Sequence, residues 1–345
     1  MALNLDVICE ATQQYADTIF AENDPQVMPF QTGLLNAVVS PENTGAVNIE
    51  RITNRGAKKP KVKIIVNQRA TDDEVNEDET ACFPDNGRQP EPTLANEYEL
   101  DLTVADTFFM NKDDFRLMCD GDDPQRYFAR FIYQSMNALV SKLNKRLIAS
   151  VSANFGNYWG GTTNSGTSPA ALDLIAGSVP NEGLNSSGYF DMVNAFSDIE
   201  AMRFFTVGAG DLRKAMQFLE IGCCNGVGAD LSQLEPAMFY TDRNVLTTLG
   251  GQNFIGFQPG SIIIPNDVFN EGQYGFENSL HRKFTIQHPD TGLLFDIDVK
   301  FDANCNVLSA WIRKPYTIVY PRTGMFKSTD EMFGVNGVLK FNAAT

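Results

Sequence analysis

The sequence predicts an α+β protein in which strands bracket one long helix. Three observations support this. Residues 46–104 carry two strand patterns around a polar tip, residues 124–151 carry an unbroken helical stripe, and from residue 237 onward strands and turns dominate. A chain of 345 residues can build a large core and about two domains.

Residues 1–46 read as an N-terminal arm. Leu3, Val7, Ile8, Tyr15 and Ile19 suit a short amphipathic helix, Asp24, Pro25 and Pro29 interrupt the pattern, and S-P-E-N-T-G at 40–45 closes it with turn chemistry. The first twenty residues hold acids rather than Lys or Arg and no continuous apolar stretch, so they do not form a secretion signal. No apolar run approaches the roughly 18–20 residues that span a bilayer.

Residues 47–105 read as an extended β-hairpin. The stretch 46–69 is one strand-like leg (V-N-I-E-R-I, V-K-I-I-V), 70–92 is a wide loop tip, and 98–104 (YELDLTV) alternates as the returning strand. Charge divides sharply along it. Residues 51–69 hold seven basic groups and no acid, whereas residues 72–91 hold eight acids and one Arg. An arm with so little apolar surface cannot offset its own ordering entropy. Its order must come from outside the subunit, which points to an assembly protein ahead of an enzyme.

Asp123 followed by Pro124 starts a helix, with a capping side chain and proline at the first helical position. Phe128, Ile132, Met136, Leu139, Leu143 and Leu147 form one apolar stripe over 124–151, while Arg126, Arg130, Lys142, Lys145 and Arg146 lie away from it. Residues 154–187 read as a Gly/Ser/Thr/Asn-rich loop, with a short helix at 170–175 and Trp159 as an anchor. Residues 190–205 and 211–220 read as helices split by V-G-A-G. Further on, I-I-I-P at 262–265 reads as a buried strand. Residues 283–287 and 293–301 flank H-P-D-T-G as a hairpin, and 307–320 reads as a long aromatic strand or strand pair.

Catalytic chemistry finds little support. His281 and His288 are seven residues apart and would point to opposite faces of a strand, so they do not form an acid–base pair or a metal site. Asp290-Thr291-Gly292 matches the aspartic-protease tripeptide in a single copy, and P-D-T-G is also what a tight turn demands. An acid protease using Asp290 is therefore disfavoured. Gly208-Ala209-Gly210 lacks a third glycine and is read as a break between helices rather than a nucleotide loop. The acidic cluster Asp72, Asp73, Glu74, Glu77, Asp78 and Glu79 lacks EF-hand spacing. Cys9, Cys82, Cys119, Cys223, Cys224 and Cys305 form no C-x-x-C pair, as expected of free thiols from a reducing compartment. No catalytic, cofactor or metal residue is expected. Net charge is −16, which excludes a nucleic-acid reader better than a nucleic-acid container.

The order of elements resembles the tailed-phage major capsid proteins of the Hong Kong 97-like fold. Three segments carry the resemblance best: L-T-V-A-D-T-F-F-M-N-K-D-D-F at 102–115, the helix from Pro124, and L-G-G-Q-N-F-I-G-F-Q-P-G-S-I-I-I-P at 249–265. It covers nearly the whole chain as architecture. The resemblance implies an N-terminal arm (1–46) and an E-loop (47–105). It implies a P domain (106–200) with a spine helix at 124–151, an A domain (201–305), and strands returning to the P domain (306–345). It further implies pentamers and hexamers of this chain in an icosahedral shell around double-stranded DNA, without sequence-specific DNA contacts. A scaffolding protein, a portal and a minor capsid or decoration protein are the implied partners. The implied location is the virion, after assembly in the cytoplasm of a bacterial host. The hairpin would lie on a neighbour. Lys58, Lys59, Lys61 and Lys63 would face acidic surface there, and the acidic tip residues Asp72 to Glu79 would face basic surface such as Arg126 and Arg130. No Lys–Asn cross-link and no N-terminal processing are expected. An encapsulin-type compartment shell and another virion component such as a tail tube are the alternatives.

Overall fold

The computed structural model describes residues 32–52, 59–66, 94–111, 124–155, 172–173, 196, 203–209, 237–250, 253–269, 280–302, 304–305, 307–321 and 336–342. Among them the dominant element is helix α3, Pro124–Ala153, which follows the short helices α1 (Gly33–Val39) and α2 (Pro41–Thr44). At 1.5 Å per residue α3 is about 45 Å long. All six residues of the expected stripe are buried, joined by Ala129, Tyr133, Val140, Ile148 and Val151.

That stripe rests on a four-stranded antiparallel sheet. The strands β4 (Leu102–Asn111), β9 (His281–Gln287), β10 (Leu294–Asp302) and β11 (Val307–Tyr316) are arranged in the order β4-β11-β10-β9. The inward phase of β11 supplies Leu308, Ala310, Ile312 and Tyr316, all buried. In β10 the corresponding residues are Phe295, Ile297 and Val299. Period-two burial and period-3.6 burial therefore meet on one interface. The expected hairpin around H-P-D-T-G is present, and its turn needs Gly292 at φ +67°. The boundary drawn at 305/306 falls in the turn between β10 and β11, whose residues pair from Asp302–Val307 to Asp296–Arg313.

A second, mixed sheet has the order β5-β12-β8-β6-β7. Its strands are Leu172–Asp173 (β5), Phe204–Gly208 (β6), Ala237–Thr241 (β7), Asn253–Phe257 (β8) and Val338–Asn342 (β12). Residues 204–208 are thus a strand, and the helix expected at 190–205 does not extend through 204 and 205. All five are buried, and four consecutive β-prone side chains (F-F-T-V) favour a central strand over a helix face. Gly208 ends this strand, and position 213 is Arg, so the sequence still lacks the third glycine of a phosphate loop. Helix α4 (Arg243–Leu249) interrupts a stretch read as strands. Residues 262–264 are buried as expected, but only Ile263 bridges, to Val319. The expected helix at 211–220, the first helix at the N-terminus, Trp159 and all cysteines except Cys305 lie outside the described residues.

The end of the expected arm is built into the body. Leu34, Leu35, Ala37 and Val38 are fully buried, and Gly33 permits this, because a Cβ there would meet the Thr241 carbonyl oxygen at 2.3 Å. Apolar L-L-x-A-V at helical spacing against α3 outweighs the Pro and Asn turn signals around it. The buried carboxylate of Asp242 organises this junction. Its Oδ2 accepts from Leu34 N (3.1 Å) and Asn144 Nδ2 (2.7 Å), and its Oδ1 from Asn244 N (2.9 Å) and Asn244 Nδ2 (3.2 Å). Asn144 of α3 in turn accepts from Leu35 N at 3.1 Å. One side chain thereby caps α4 and joins α1 to α3.

Asp242→Ala leaves several buried donors without acceptors and should lower unfolding free energy by about 3 kcal/mol or more. Asp242→Asn should recover only part of this, because its amide sets a donor against donors. Urea denaturation of the unassembled subunit reads both values.

Candidate inter-subunit surface

The hairpin region forms its own three-stranded antiparallel sheet of β1 (Asn48–Ile52), β2 (Lys61–Val66) and β3 (Leu94–Glu99), with β2 in the middle. The leg read as one strand is therefore two, folded back between residues 52 and 61. N-R-G at 54–56 and Pro60 were the punctuation in the sequence that marks the break. The return leg also divides: β3 pairs with β2, while β4 crosses to the four-stranded sheet.

This register redistributes the charge. Lys63 stands between Glu50 of β1 and Glu97 of β3, and Lys61 opposite Glu99. The Lys59 and Lys61 ammonium groups lie 3.8 and 3.9 Å from the Glu99 carboxylate. Each such exposed pair contributes about 0–1 kcal/mol. Among the described bases of this stretch, Lys59, Lys61 and Lys63 are thus answered inside their own sheet. Arg130 is half-buried on α3. Lys58, the side chain of Arg126, and Asp72, Asp73, Glu74, Glu77, Asp78 and Glu79 lie outside the described residues.

The sheet is held to the body by few contacts. Val62, Ile64 and Leu100 pack with Ile263 and Val319 as a satellite cluster separate from the main core. Arg51 of β1 reaches Asp267 at 2.9 Å. Behind Asp267 sits Lys314, fully buried, whose Nζ donates to the Asp267 carbonyl (2.8 Å) and to Asn266 Oδ1 (3.0 Å). Asn266 Oδ1 also accepts from Leu294 N at 2.8 Å, which ties the same segment to β10. Arg313, next in the chain but on the other face, lies 4.3 Å from the Trp311 ring and 4.6 Å from the Phe269 ring. A charged side chain at the inward phase of β11, after Leu308, Ala310 and Ile312, was the available signal for Lys314. Its partners are about fifty residues away in sequence, so they were not legible.

Among the described residues His281, His288 and Asp290 do not converge on one another. His281 bonds to Asp298, which Lys283 approaches at 4.0 Å. His288, at the other end of β9, is buried and meets Asn137 Oδ1 of α3 through Nε2 at 2.7 Å. Its Nδ1 accepts from Thr291 N at 3.4 Å, so the neutral ring carries its proton on Nε2. Asp290 is exposed in the turn. Among the described residues no group of three or more His, Cys, Asp or Glu could hold a metal ion, and no helix is long and apolar enough to cross a membrane.

No protein-family model matches the chain, and no curated protein matches it significantly. Solved structures do. A chain of the cyanophage A-1(L) capsid asymmetric unit is 11% identical over 92% of this chain and 94% of that one, with a TM-score of 0.53. A chain of the cyanophage P-SCSP1u capsid is 10% identical over 84% of each chain, with a TM-score of 0.40. A virus-like particle from Pyrococcus furiosus is 8% identical over 89% of this chain and 98% of that one, at 0.44. The fold of this chain is that of the phage capsid subunits, of the Hong Kong 97-like type.

Burial lowers the pKa of His288 from 6.5 to about 4. The unfolded chain takes up this proton below 6.5 and the folded chain does not, so stability falls as pH drops from 6.5 to 4, by about 3 kcal/mol. His288→Gln should flatten that part of the profile in pH-dependent urea melts. Burial also lowers the pKa of Lys314 from 10.5 to about 7, against the opposing pull of Asp267 and Asp296. Stability should therefore rise by roughly 4 kcal/mol between pH 7 and 10, where only the unfolded chain holds the proton. Lys314→Met should abolish the rise.

Proposed function

We propose that this chain is the major capsid protein of a tailed bacteriophage. It assembles as pentamers and hexamers into an icosahedral shell that encloses double-stranded DNA. The observation that carries this reading is the fold, shared over nearly the full length with a cyanophage capsid chain. The separate three-stranded sheet supports it, since its five-residue cluster and one described ion pair to the body leave it suited to lie on a neighbour.

In this reading the β1–β3 sheet with residues 67–93 is the E-loop, α3 is the spine helix of the P domain, and much of 201–305 forms the A domain. The lysines at 58, 59, 61 and 63 remain candidates for contact with a neighbour. Lys59 and Lys61 also lie against Glu99, and the acids at 72–79 are the candidates for meeting a basic surface such as Arg126 and Arg130. Weak ion pairs repeated over many copies would set register while leaving assembly reversible. A scaffolding protein, a portal and a decoration or minor capsid protein complete the virion, which forms in the host cytoplasm. The subunit has no catalytic role.

Deleting residues 70–92 should leave a folded subunit, by circular dichroism, that no longer forms shells in negative-stain electron microscopy. Normal shells from the deletion would remove the hairpin from the assembly interface. Only monomers from the intact chain, with and without its neighbouring genes, would sink the capsid reading itself.

A further inference from the structure

Several described basic side chains around the hairpin and the sheets have an acidic or polar partner. Lys59 and Lys61 lie by Glu99, Arg51 by Asp267, Lys283 by Asp298, and Lys314 by Asn266 and Asp267. Lys142, Lys145 and Arg146 instead stand close together on α3. All three are exposed, and none forms an ion pair among the described residues. Asp101, which shares the neighbourhood of Tyr316 with Arg146, makes no ion pair with it. The helix itself has no acid anywhere in its 30 residues. The whole chain has 43 acids against 27 bases, so a stretch this free of acid departs from its surroundings.

Geometry makes the three cations one surface. Lys142 and Arg146 are one turn apart, about 6 Å along the axis, with Lys145 between them. Exposed Ala138 and Ala149 lie one turn before and after, so the flanks are low and a broad partner can come close. A contact between two copies of one chain is usually specified by mixed signs, which reject wrong registers. A surface of one sign suits a partner of uniform opposite charge instead, and duplex DNA presents about one charge per 1.7 Å.

We infer that the Lys142–Lys145–Arg146 stripe of α3 faces the interior of the shell and contacts phosphates of the enclosed DNA. The inference rests on the capsid reading. Few contacts per subunit make each one weak and salt-sensitive, while the acidic remainder of the wall repels the polymer. The duplex is thereby held near the wall without being bound tightly at any point.

The test uses unassembled full-length subunits, separated from shells by sedimentation. A short labelled DNA duplex of arbitrary sequence is titrated by fluorescence anisotropy at several salt concentrations. Losing three phosphate contacts should reduce the slope of log K against log salt by about 2.7 in the variant Lys142→Gln/Lys145→Gln/Arg146→Gln. The charge-matched control Arg203→Gln/Arg243→Gln/Lys300→Gln, at exposed bases elsewhere, should keep the wild-type slope. Equal losses in both variants, or no wild-type binding at low salt, would overturn the inference. So would a stripe variant that binds DNA normally but forms no shells, which would make the stripe a contact between copies. Shell formation by the intact chain, scored by electron microscopy, tests the capsid reading separately.

Discussion

Eleven side chains of α3 are withdrawn from water along one face, from Phe128 to Val151. Fully burying a side chain of this kind contributes about 1.5–3 kcal/mol, so this face cannot be left uncovered. The rest of the body is arranged to cover it. The sheet of β4, β11, β10 and β9 supplies one wall, α1 and α4 another, and Asn137 and Asn144 are two of the polar points at which α3 is fastened. Asn137 fixes the β9–β10 turn through His288, and Asn144 fixes α1 through Asp242 and Leu35.

The hairpin sheet obeys a different constraint. It does not share the main core, and it carries its charge in cross-strand rows instead of an apolar face on both sides. Glu50, Lys63 and Glu97 form one such row. An element built this way is positioned by short-range pairing and a small cluster. Arg51, Asp267 and Lys314 place the attachment of this sheet beside a buried ammonium group, so the orientation of the sheet and the packing of β11 are joined through the residue 266–269 segment.

Electrostatics then separates the surfaces. Lys59, Lys61 and Lys63 of the hairpin stand beside glutamates of adjacent strands, whereas three exposed bases cluster on α3 without an ion pair among the described residues. Linear charge runs mislead here because β pairing brings residues far apart in sequence within a few ångströms. In a helix, charges three and four apart stay together whatever the fold does, so the basic face of α3 was visible from spacing alone.

The long helix, its apolar stripe and the H-P-D-T-G turn were legible because each depends on neighbours a few residues away: 3.6-residue periodicity, proline at the first helical turn, and glycine where φ is positive. Three features were decided by the tertiary structure: the folding back of residues 46–69 into two strands, the strand at Phe204–Gly208, and the packing of residues 33–44 into the core. Each depends on long-range burial outweighing local propensity. The burial of Asp242 and the partners of Lys314 were likewise out of reach. A charge becomes tolerable inside a protein only when donors and acceptors from remote segments converge on it, and that convergence is a property of the fold.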